Sequence, residues 1–281
     1  MDSTTLLDAP PGAFTQRTRV RSYETGRTGA ISIGTMLRYF EGIATEASAA
    51  LGFDFHWYEA HQSAWVVREM QVLVEGGAGI GDELGLATWV ASFKRVQAQR
   101  EYAIWRQDNG HLVARASARW GYIDRTRLRP VPLPEDLAGH FPVLGHAMPP
   151  LALTRPSAEE RPSGEHEWLL TARDYEIDSQ QHINNAVYAD WLLEGLHHAL
   201  AGDLPSEDNA LGSGGPQVYQ IEYLQPTLPG EALCVATTVW ARSTAEMKVS
   251  QRIASQRDGG VRVRARSEQP RASVAGGVIR S

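Results

Sequence analysis

A dense group of polar residues precedes one apolar helical segment of this chain. In YEIDSQQHINNAVYADWLLEGL, which runs from Tyr175 to Leu196, an acid, several amides and a histidine stand before a pattern typical of a buried helix. A helix entrance presents free backbone N–H groups and the positive end of the helix dipole, and both favour a developing negative charge. A carboxylate and an imidazole at such a place could activate water and stabilise an oxyanion, which is the chemistry of acyl transfer to water.

Three side chains of this group have predicted roles. Asp178 is the preferred base or nucleophile, and His182 either accepts a proton or holds the substrate or a water. Gln180 is expected to orient that water or the imidazole. The alternative for Asp178 is a structural role, since aspartate before a helix commonly serves as a turn or capping acid.

The helix that follows is predicted to begin at Asn184 or Asn185. The backbone amides of residues 185–188 are then expected to point outward and to bind the oxyanion. Asn184 is either only the N-cap or a site residue as well.

Composition restricts the classes of function. A chain of 281 residues with 42% hydrophobic content can bury one large core or two smaller ones. The single cysteine, Cys234, excludes an internal disulfide and a cysteine-based zinc cluster. A net charge of −6 argues against a general nucleic-acid binder.

Other signals are missing from the sequence. No apolar run approaches the roughly 20 residues of a membrane span, and the first residues lack the features of a signal peptide. We therefore expect no membrane association and a cytoplasmic location. No metal-binding, phosphate-binding or nucleotide-binding motif stands out, so no cofactor and no metal are predicted.

The chain also contains two similar halves. Tyr23-Glu24 matches Tyr175-Glu176, and each pair is followed by a helical pattern that contains Glu41-Gly42 or Glu194-Gly195. Further on, GDELGLATWV (81–90) resembles GEALCVATTVW (230–240). Each half is therefore predicted to contain one helix and then several strands.

The polar group occurs in only one of the two copies. The first half places Gly26 or Thr25 opposite Asp178, and Ala30 or Gly29 opposite His182, depending on where a one-residue gap falls. A group that merely capped the helix should be needed in both copies. This asymmetry favours catalysis over capping.

Alternating hydrophobicity and turn residues predict the strands. They are expected at 65–74, 84–96, 99–107 and 111–122, and again at 216–225, 231–242, 246–256 and 261–268. A single helix wrapped by an antiparallel sheet is the compact arrangement of such a half, so an α+β tandem (double) hotdog fold is predicted. The predicted parts are an N-terminal hotdog domain (14–127), an extended proline-rich linker (128–164), a C-terminal hotdog domain (165–268) and a frayed tail from Gln269.

Two glutamates fall on the central helices, where this fold buries most of the surface. An unpaired buried carboxylate is costly, so a structural ion pair with an arginine is the simplest expectation for each. We favour that role for Glu41. For Glu194, in the half with the polar group, a supporting role in the site is an equal alternative.

Motifs in both halves resemble those of plant and bacterial acyl-acyl-carrier-protein thioesterases. They are WVVREMQV, GDEL, TWVASFKR, REYAIW and ARASARWGYIDRTRLRPVPLPEDL in the first half, and Asp178-x-Gln180-x-His182-Ile183-Asn184-Asn185 with Tyr188, Trp191 and Glu194 in the second. The resemblance covers about residues 17–265. It implies hydrolysis of an acyl thioester, carried on acyl carrier protein or coenzyme A, to a free fatty or polyketide-type acid. A thiol with a pKa near ~8.5 leaves with little help, so water activation and oxyanion binding are the main demands.

The resemblance also implies where the substrate lies. Hotdog relatives place the acyl tail along the central helix, so the first-half helix is expected to line an apolar tunnel through Met36, Leu37, Phe40 and Ile43, with Trp65 beside it. Asn185 is assigned to substrate binding as well. The alternative for the apolar stripe is plain core. Candidate arginines for carrier docking are Arg125, Arg127, Arg129, Arg95 and Arg100, each of which could equally be a solvated surface charge.

The sequence departs from the family pattern at one point. Plant members typically carry a Glu-Cys pair just beyond a segment like Glu222-Tyr223, and the Glu is thought to help activate water. Here Pro226 and Thr227 stand at those positions. We therefore expect Asp178 to act instead, with Glu194 or Gln225 as alternatives, and we interpret Cys234 as a core residue.

Two other functions stay open on the same scaffold. One is a dehydratase or hydratase that acts on hydroxyacyl thioesters, and the other is a non-catalytic acyl-binding protein. The fused double copy supplies its own partner, so a monomer or a homodimer is expected.

Overall fold

The computed structural model describes residues 9–26, 28–151, 153, 156, 162–200, 216–241 and 246–270. The N-terminal half comprises β1 (Phe14–Arg19), α1 (Ile33–Ala49), α2 (Phe55–Ala60), β2 (Ser63–Val74), β3 (Glu83–Lys94), β4 (Gln97–Arg106), β5 (Leu112–Asp124), β6 (Arg129–Pro130) and α3 (Glu135–His140). The C-terminal half comprises β7 (Pro162–Thr171), α4 (Asn185–Leu200), β8 (Gln217–Tyr223), β9 (Ala232–Ala241), β10 (Glu246–Ser255) and β11 (Val261–Pro270). None of the helices in these residues is long and apolar enough to cross a membrane.

One antiparallel sheet runs through both halves. Its strand order is β1-β3-β4-β5-β2-β8-β11-β10-β9-β7, with β6 paired to β5. The second half therefore repeats the first in reverse around the β2–β8 ladder, in which Met70 pairs with Ile221. Each half wraps its part of the sheet around one long helix, which is the predicted α+β tandem hotdog.

The long helices provide much of the core. Met36, Leu37, Phe40 and Ile43 form a stripe on α1 and are all buried against the sheet, where Phe40 meets Tyr102 at 5.0 Å between ring centroids. Burying a side chain of this size contributes about 1.5–3 kcal/mol. Each helix also begins at a polar cap: the Ser32 hydroxyl accepts the Thr35 amide at 3.2 Å, and Asn184 Oδ1 accepts the Ala186 amide at 2.9 Å.

Short 3-10 turns before the two helices repeat each other closely. At Ser22–Glu24 the Glu24 carboxylate accepts the Arg21 amide at 2.7 Å and the hydroxyl of Tyr39 at 2.9 Å. At Asp174–Glu176 the Glu176 carboxylate accepts the Arg173 amide at 2.7 Å and the indole N–H of Trp191 at 3.1 Å. The duplication inferred from the Tyr-Glu pairs is therefore present in the structure.

The hydrogen bonds of the following loops settle the alignment of the two copies. The Gly26 amide donates to the Ala30 carbonyl at 3.0 Å, and the Asp178 amide donates to the His182 carbonyl at 2.9 Å. Gly26 therefore stands opposite Asp178 and Ala30 opposite His182, without a gap. Continued along the helices, this register places Glu41 opposite Leu193. The sequence match between the two Glu-Gly pairs is thus displaced by one residue, and Glu41 and Glu194 are not equivalent.

The segment predicted as an extended linker, 128–164, is partly structured. Among its described residues, Arg129–Pro130 pairs with β5, and α3 inserts Leu137 (0% exposed) and Phe141 beside Phe53. This segment closes one end of the N-terminal half, which contradicts the expectation of a connection wholly outside the sheet. The C-terminal half begins three residues earlier than expected, at Pro162, and β11 continues through Gln269 to Pro270. The rest of the predicted tail lies outside the described residues.

Candidate active site

A tight loop before α4 holds the polar residues that the sequence singled out. Its turn is closed by the Gln181 amide, which donates to the Asp178 carbonyl at 3.1 Å, and Gln181 has a left-handed backbone with φ 64°. Asp178 Oδ1 accepts the Gln180 amide at 2.8 Å, while Oδ2 lies 3.4 Å from His182 Nδ1. The side chains of Asp178 and His182 are 13% and 21% exposed. Asp178 thus fixes both the loop backbone and the imidazole.

The surroundings of His182 define its neutral tautomer. Nδ1 faces the Ile183 carbonyl at 3.2 Å as well as the Asp178 carboxylate. Both neighbours are acceptors, so the proton of the neutral ring sits on Nδ1 and Nε2 is an acceptor. Nε2 can therefore accept a hydrogen bond from a water molecule or from a thiol.

Asn184 joins this loop to the other half of the molecule. Its Oδ1 caps α4, and its Nδ2 donates to both carboxylate oxygens of Glu41, at 2.9 and 3.1 Å. Burial raises the pKa of the Glu41 carboxyl, and the negative charge of Asp178 acts in the same direction. The Asn184 hydrogen bond and the charges of Arg38 and His182 oppose the rise in pKa.

Glu41 does not have the structural ion pair that we favoured for it. No salt bridge to Glu41 is formed within the described ranges, and Arg38 pairs with Asp190 at 2.6 Å instead. Glu41 is a site residue that the sequence analysis missed, because its partner Asn184 lies 143 residues away along the chain.

The amides at the start of α4 are less available than expected. The Ala186 amide is bound to Asn184 Oδ1, and the Val187 amide donates to the Asn184 carbonyl at 3.0 Å. Within residues 185–187, only the Asn185 amide has no hydrogen-bond acceptor in the described part of the chain. The predicted row of outward-pointing donors is therefore reduced, because the cap consumes part of it.

A pocket of about 200 Å³ opens beside this loop. It is lined by Glu41 from α1 and by Asp178, Ser179 and Gln180 from the loop. Its other lining residues all belong to the N-terminal half and include Ala44, Thr45, Ser48, Phe53, Asp54, Phe55, Tyr58, Trp65, Val90, Phe93, Ala98, Arg100, Trp120, Arg125 and Phe141. Polar groups of one half thus face an apolar space of the other.

The predicted tunnel residues divide into two groups. Trp65 lines the pocket, as expected. Met36, Leu37, Phe40 and Ile43 do not, because this stripe packs against the sheet and fills the core. The pocket lies on the adjoining face of α1, where Ala44, Thr45 and Ser48 are small. Asn185, assigned to substrate binding, lies at the first turn of α4 and outside this lining.

Other predicted residues lie away from the loop. The Glu194 side chain is 55% exposed and lies 3.9 Å from His197 Nδ1 and 3.7 Å from His198 Nε2, so the expectation that it is buried is wrong. It is not among the residues that line the pocket, and its supporting role stays a prediction. Gln225 accepts a hydrogen bond from Arg262 and is not turned towards the site. Arg100 is 8% exposed, which excludes it from carrier docking.

Thr227 and Pro226 occupy the place of the family's Glu-Cys pair without supplying a carboxylate. The Thr227 carbonyl accepts a hydrogen bond from the Ile183 amide at 3.1 Å, and the Thr227 amide donates to the Tyr188 hydroxyl at 3.0 Å. These two hydrogen bonds fix the position of the loop before α4. Glu41 is the carboxylate that lines the pocket beside Asp178, whereas Glu194 and the amide Gln225 do not line it. No group of three or more residues that could hold a metal ion occurs among the described residues.

Sequence-family models match almost the whole molecule. The acyl-ACP thioesterase N-terminal domain matches residues 11–141, and the acyl-ACP thioesterase C-terminal domain matches residues 159–269. The chain belongs to the acyl-ACP thioesterase family. Among curated members of this family, the chloroplastic palmitoyl-acyl carrier protein thioesterase of Gossypium hirsutum is 27% identical over 196 residues, which cover 64% of this chain and 46% of that protein. The Arabidopsis thaliana protein of the same name is 29% identical over 197 residues, with 64% and 46% covered. The chain thus spans about half the length of these curated acyl-ACP thioesterases.

Solved structures show the same fold. The 12:0-ACP thioesterase from Umbellularia californica superimposes with a TM-score of 0.75 at 19% identity, covering 92% of this chain and 94% of that one. A Lactobacillus plantarum protein described as an oleoyl thioesterase gives a TM-score of 0.78 at 20% identity, covering 94% and 98%. The tandem hotdog architecture is therefore shared along nearly the full length of these acyl-ACP thioesterase-like chains.

Proposed function

We propose that this protein hydrolyses acyl thioesters and releases the acyl group as a free acid. Membership of the acyl-ACP thioesterase family supports this reaction class. The observation that carries the proposal is the pocket itself, because Glu41, Asp178 and Gln180 line a space whose other walls are mainly apolar. A thioester whose tail fills that space would place its carbonyl carbon among these polar groups.

The loop supplies the positioning that hydrolysis needs. One oxygen of Asp178 accepts a hydrogen bond from the backbone amide of Gln180, and the other faces His182 Nδ1. Gln180 lines the pocket, and its side-chain NH2 can donate to the carbonyl oxygen. His182 is not itself a lining residue, but it lies in the same loop, and its Nε2 can accept from water or from the leaving thiol. The Asn185 amide and the dipole of α4 add positive potential behind them.

The substrate class follows from the shape of the pocket and from the family. The mainly apolar lining suits the tail of a fatty or polyketide-type acyl group, which the family carries on acyl carrier protein or coenzyme A. Arg125 lines the pocket, and Arg127 and Arg129 are exposed close by along the chain. These arginines suit an acidic carrier protein or the phosphates of coenzyme A.

Thiol release from acyl-coenzyme A and acyl-carrier thioesters of graded chain length tests the proposal. Asp178→Asn replaces one carboxylate oxygen by an NH2 group, which must face either the Gln180 amide or His182 Nδ1–H, both donors. We expect kcat/KM to fall by at least ~100-fold, about 2.7 kcal/mol, in a protein that remains folded. Asp174→Asn, in the exposed 3-10 turn next to the loop, is the matched control and should keep full activity.

Three results would contradict the proposal. Absence of thiol release from every substrate would exclude hydrolysis. Hydration of enoyl thioesters without thiol release would identify a dehydratase or hydratase, and tight acyl binding without turnover would identify a carrier or binding protein.

A further inference from the structure

The two halves of the molecule differ at the position of Glu41. Because the two halves align without a gap, the position equivalent to Glu41 on α4 is Leu193. Leu193 and Ile33 line a space of only about 20 Å³, compared with about 200 Å³ beside Glu41. The equivalents of Asp178, His182 and Asn184 in the first half are Gly26, Ala30 and Ser32, so none of these three positions carries a carboxylate, an imidazole or an amide side chain in that copy.

An acid at this position is unfavourable for the fold alone. A buried carboxylate costs free energy unless it is paired, and the partner of Glu41 is a neutral amide rather than a cation. In the other copy the equivalent position is a leucine, Leu193, so the fold does not require an acid there. Packing therefore does not explain the carboxylate of Glu41, whereas a role in the reaction does.

The position of Glu41 suits that role. It lines the pocket together with Asp178 and Gln180 of the His182 loop. Asn184 holds both of its oxygens, which fixes the direction of the carboxylate. Of the other acids that line the pocket, Asp54 caps α2 by accepting the Trp57 amide at 2.8 Å, and the oxygens of Asp178 already face the backbone amide of Gln180 and His182.

We propose that Glu41 is a catalytic residue, and that its carboxylate takes the proton from the water that attacks the thioester carbonyl. Water oxygen forms a bond to the carbonyl carbon as Glu41 accepts the proton. The tetrahedral intermediate then breaks its C–S bond, and the departing thiolate receives that proton back. One water and one thioester give one acid and one thiol. Asp178 in this scheme positions His182 and Gln180 rather than acting as the base, and the inference rests on the proposed thioesterase activity.

The charges around Glu41 give this base a defined pH range. Asp178 and burial raise the pKa of Glu41, whereas Arg38, His182 and the Asn184 hydrogen bond lower it. Tyr102 and Tyr223 from the two halves of the sheet also face it, and burial raises the pKa of both phenols, which keeps them neutral. A base works only when ionised, so activity should fall on the acid side of a pKa above that of an ordinary glutamate.

Three variants test the inference: Glu41→Gln, Glu41→Leu and Glu41→Asp. Steady-state thiol release is measured across pH, together with urea unfolding. We expect Glu41→Gln to lose at least ~100-fold in kcat with a small change in KM, because the amide keeps the shape but cannot take a proton. Glu41→Leu, which copies the other half, should be as inactive and at least as stable as wild type. Glu41→Asp should recover part of the activity and keep an acid limb.

Glu46→Gln is the control for the loss of one negative charge from α1, since Glu46 is exposed and outside the pocket. Its activity should equal that of wild type. If wild type releases thiol and Glu41→Gln stays within about threefold of it, Glu41 is not the base, although the thioesterase proposal survives. If wild type releases no thiol from any substrate, both proposals fail.

Discussion

Two carboxylates from different halves of the chain meet in one site and have different surroundings. Asp178 is held by the backbone amide of Gln180 and faces His182, while Glu41 is partly buried and this burial raises its pKa. In many active sites, two carboxyl groups in different environments have different roles in the reaction. The raised pKa makes Glu41 a stronger base than an ordinary glutamate, and the hydrogen bond from Asn184 opposes the rise.

The variant Asn184→Ser tests whether this hydrogen bond lowers the pKa of Glu41. Serine can still cap α4, as Ser32 caps α1, but it cannot reach the Glu41 carboxylate with an NH2 group. Because that hydrogen bond lowers the pKa of Glu41, its loss should raise the pKa, so the acid limb of kcat/KM should move to higher pH. The measurement is a pH–rate profile, and an acid limb that stays in place or moves to lower pH would contradict the account.

The contiguous part of the site could be predicted from the sequence, whereas the part supplied from across the molecule could not. Asp178, Gln180, His182 and Asn184 stand out because they lie within one seven-residue stretch that a helix follows. Glu41 was hidden because the similar Glu-Gly pairs suggested a wrong alignment with Glu194. An ungapped alignment from the Tyr-Glu pairs sets an acid against a leucine, and that contrast was the available signal.

At the scale of elements, α3 is the part of the structure that most differs from expectation. The stretch is rich in prolines, yet Leu137 and Phe141 are four residues apart on one face and pack against Phe53. Proline content obscured this helical spacing. The strands with strong alternation were predicted to within a few residues, while β1, an edge strand with the polar sequence FTQRTR, and β7 at the opposite edge were missed.

Leu137→Ala should therefore weaken the whole N-terminal half. The side chain is 0% exposed, and removing it leaves a cavity, so the free energy of unfolding should fall by about 2–5 kcal/mol. Leu128→Ala, at a position that is 78% exposed in the same segment, should change it by less than about 0.5 kcal/mol. Urea unfolding measures both, and equal small effects would show that α3 is only loosely attached.

At the scale of the whole molecule, duplication has given the two helix entrances different tasks. The C-terminal copy keeps the polar loop, and the N-terminal copy provides Glu41 and the pocket that we propose for the acyl tail. The halves are joined by the β2–β8 ladder, by packing between α1 and α4, and by the ion pair of Arg38 with Asp190. The site exists only while these contacts hold the halves together.

One consequence is that the halves should not unfold separately. Tryptophans occur in both halves, and strands of both contribute to circular dichroism. Because β2 and β8 share one ladder, tryptophan fluorescence and far-UV circular dichroism should give the same urea midpoint in a single transition. Two resolved transitions would show that each half is stable alone.

The central claim is that Glu41 and Asp178 serve one reaction in one site built from both halves. The most direct measurement is kcat/KM for thiol release by wild type, Glu41→Gln, Asp178→Asn and the double variant. Residues that act as a unit are strongly non-additive, so the double variant should be within about tenfold of the slower single variant. A double variant slower by the product of the two single effects, on the order of 10⁴-fold, would show that the two carboxylates act independently and would contradict the account.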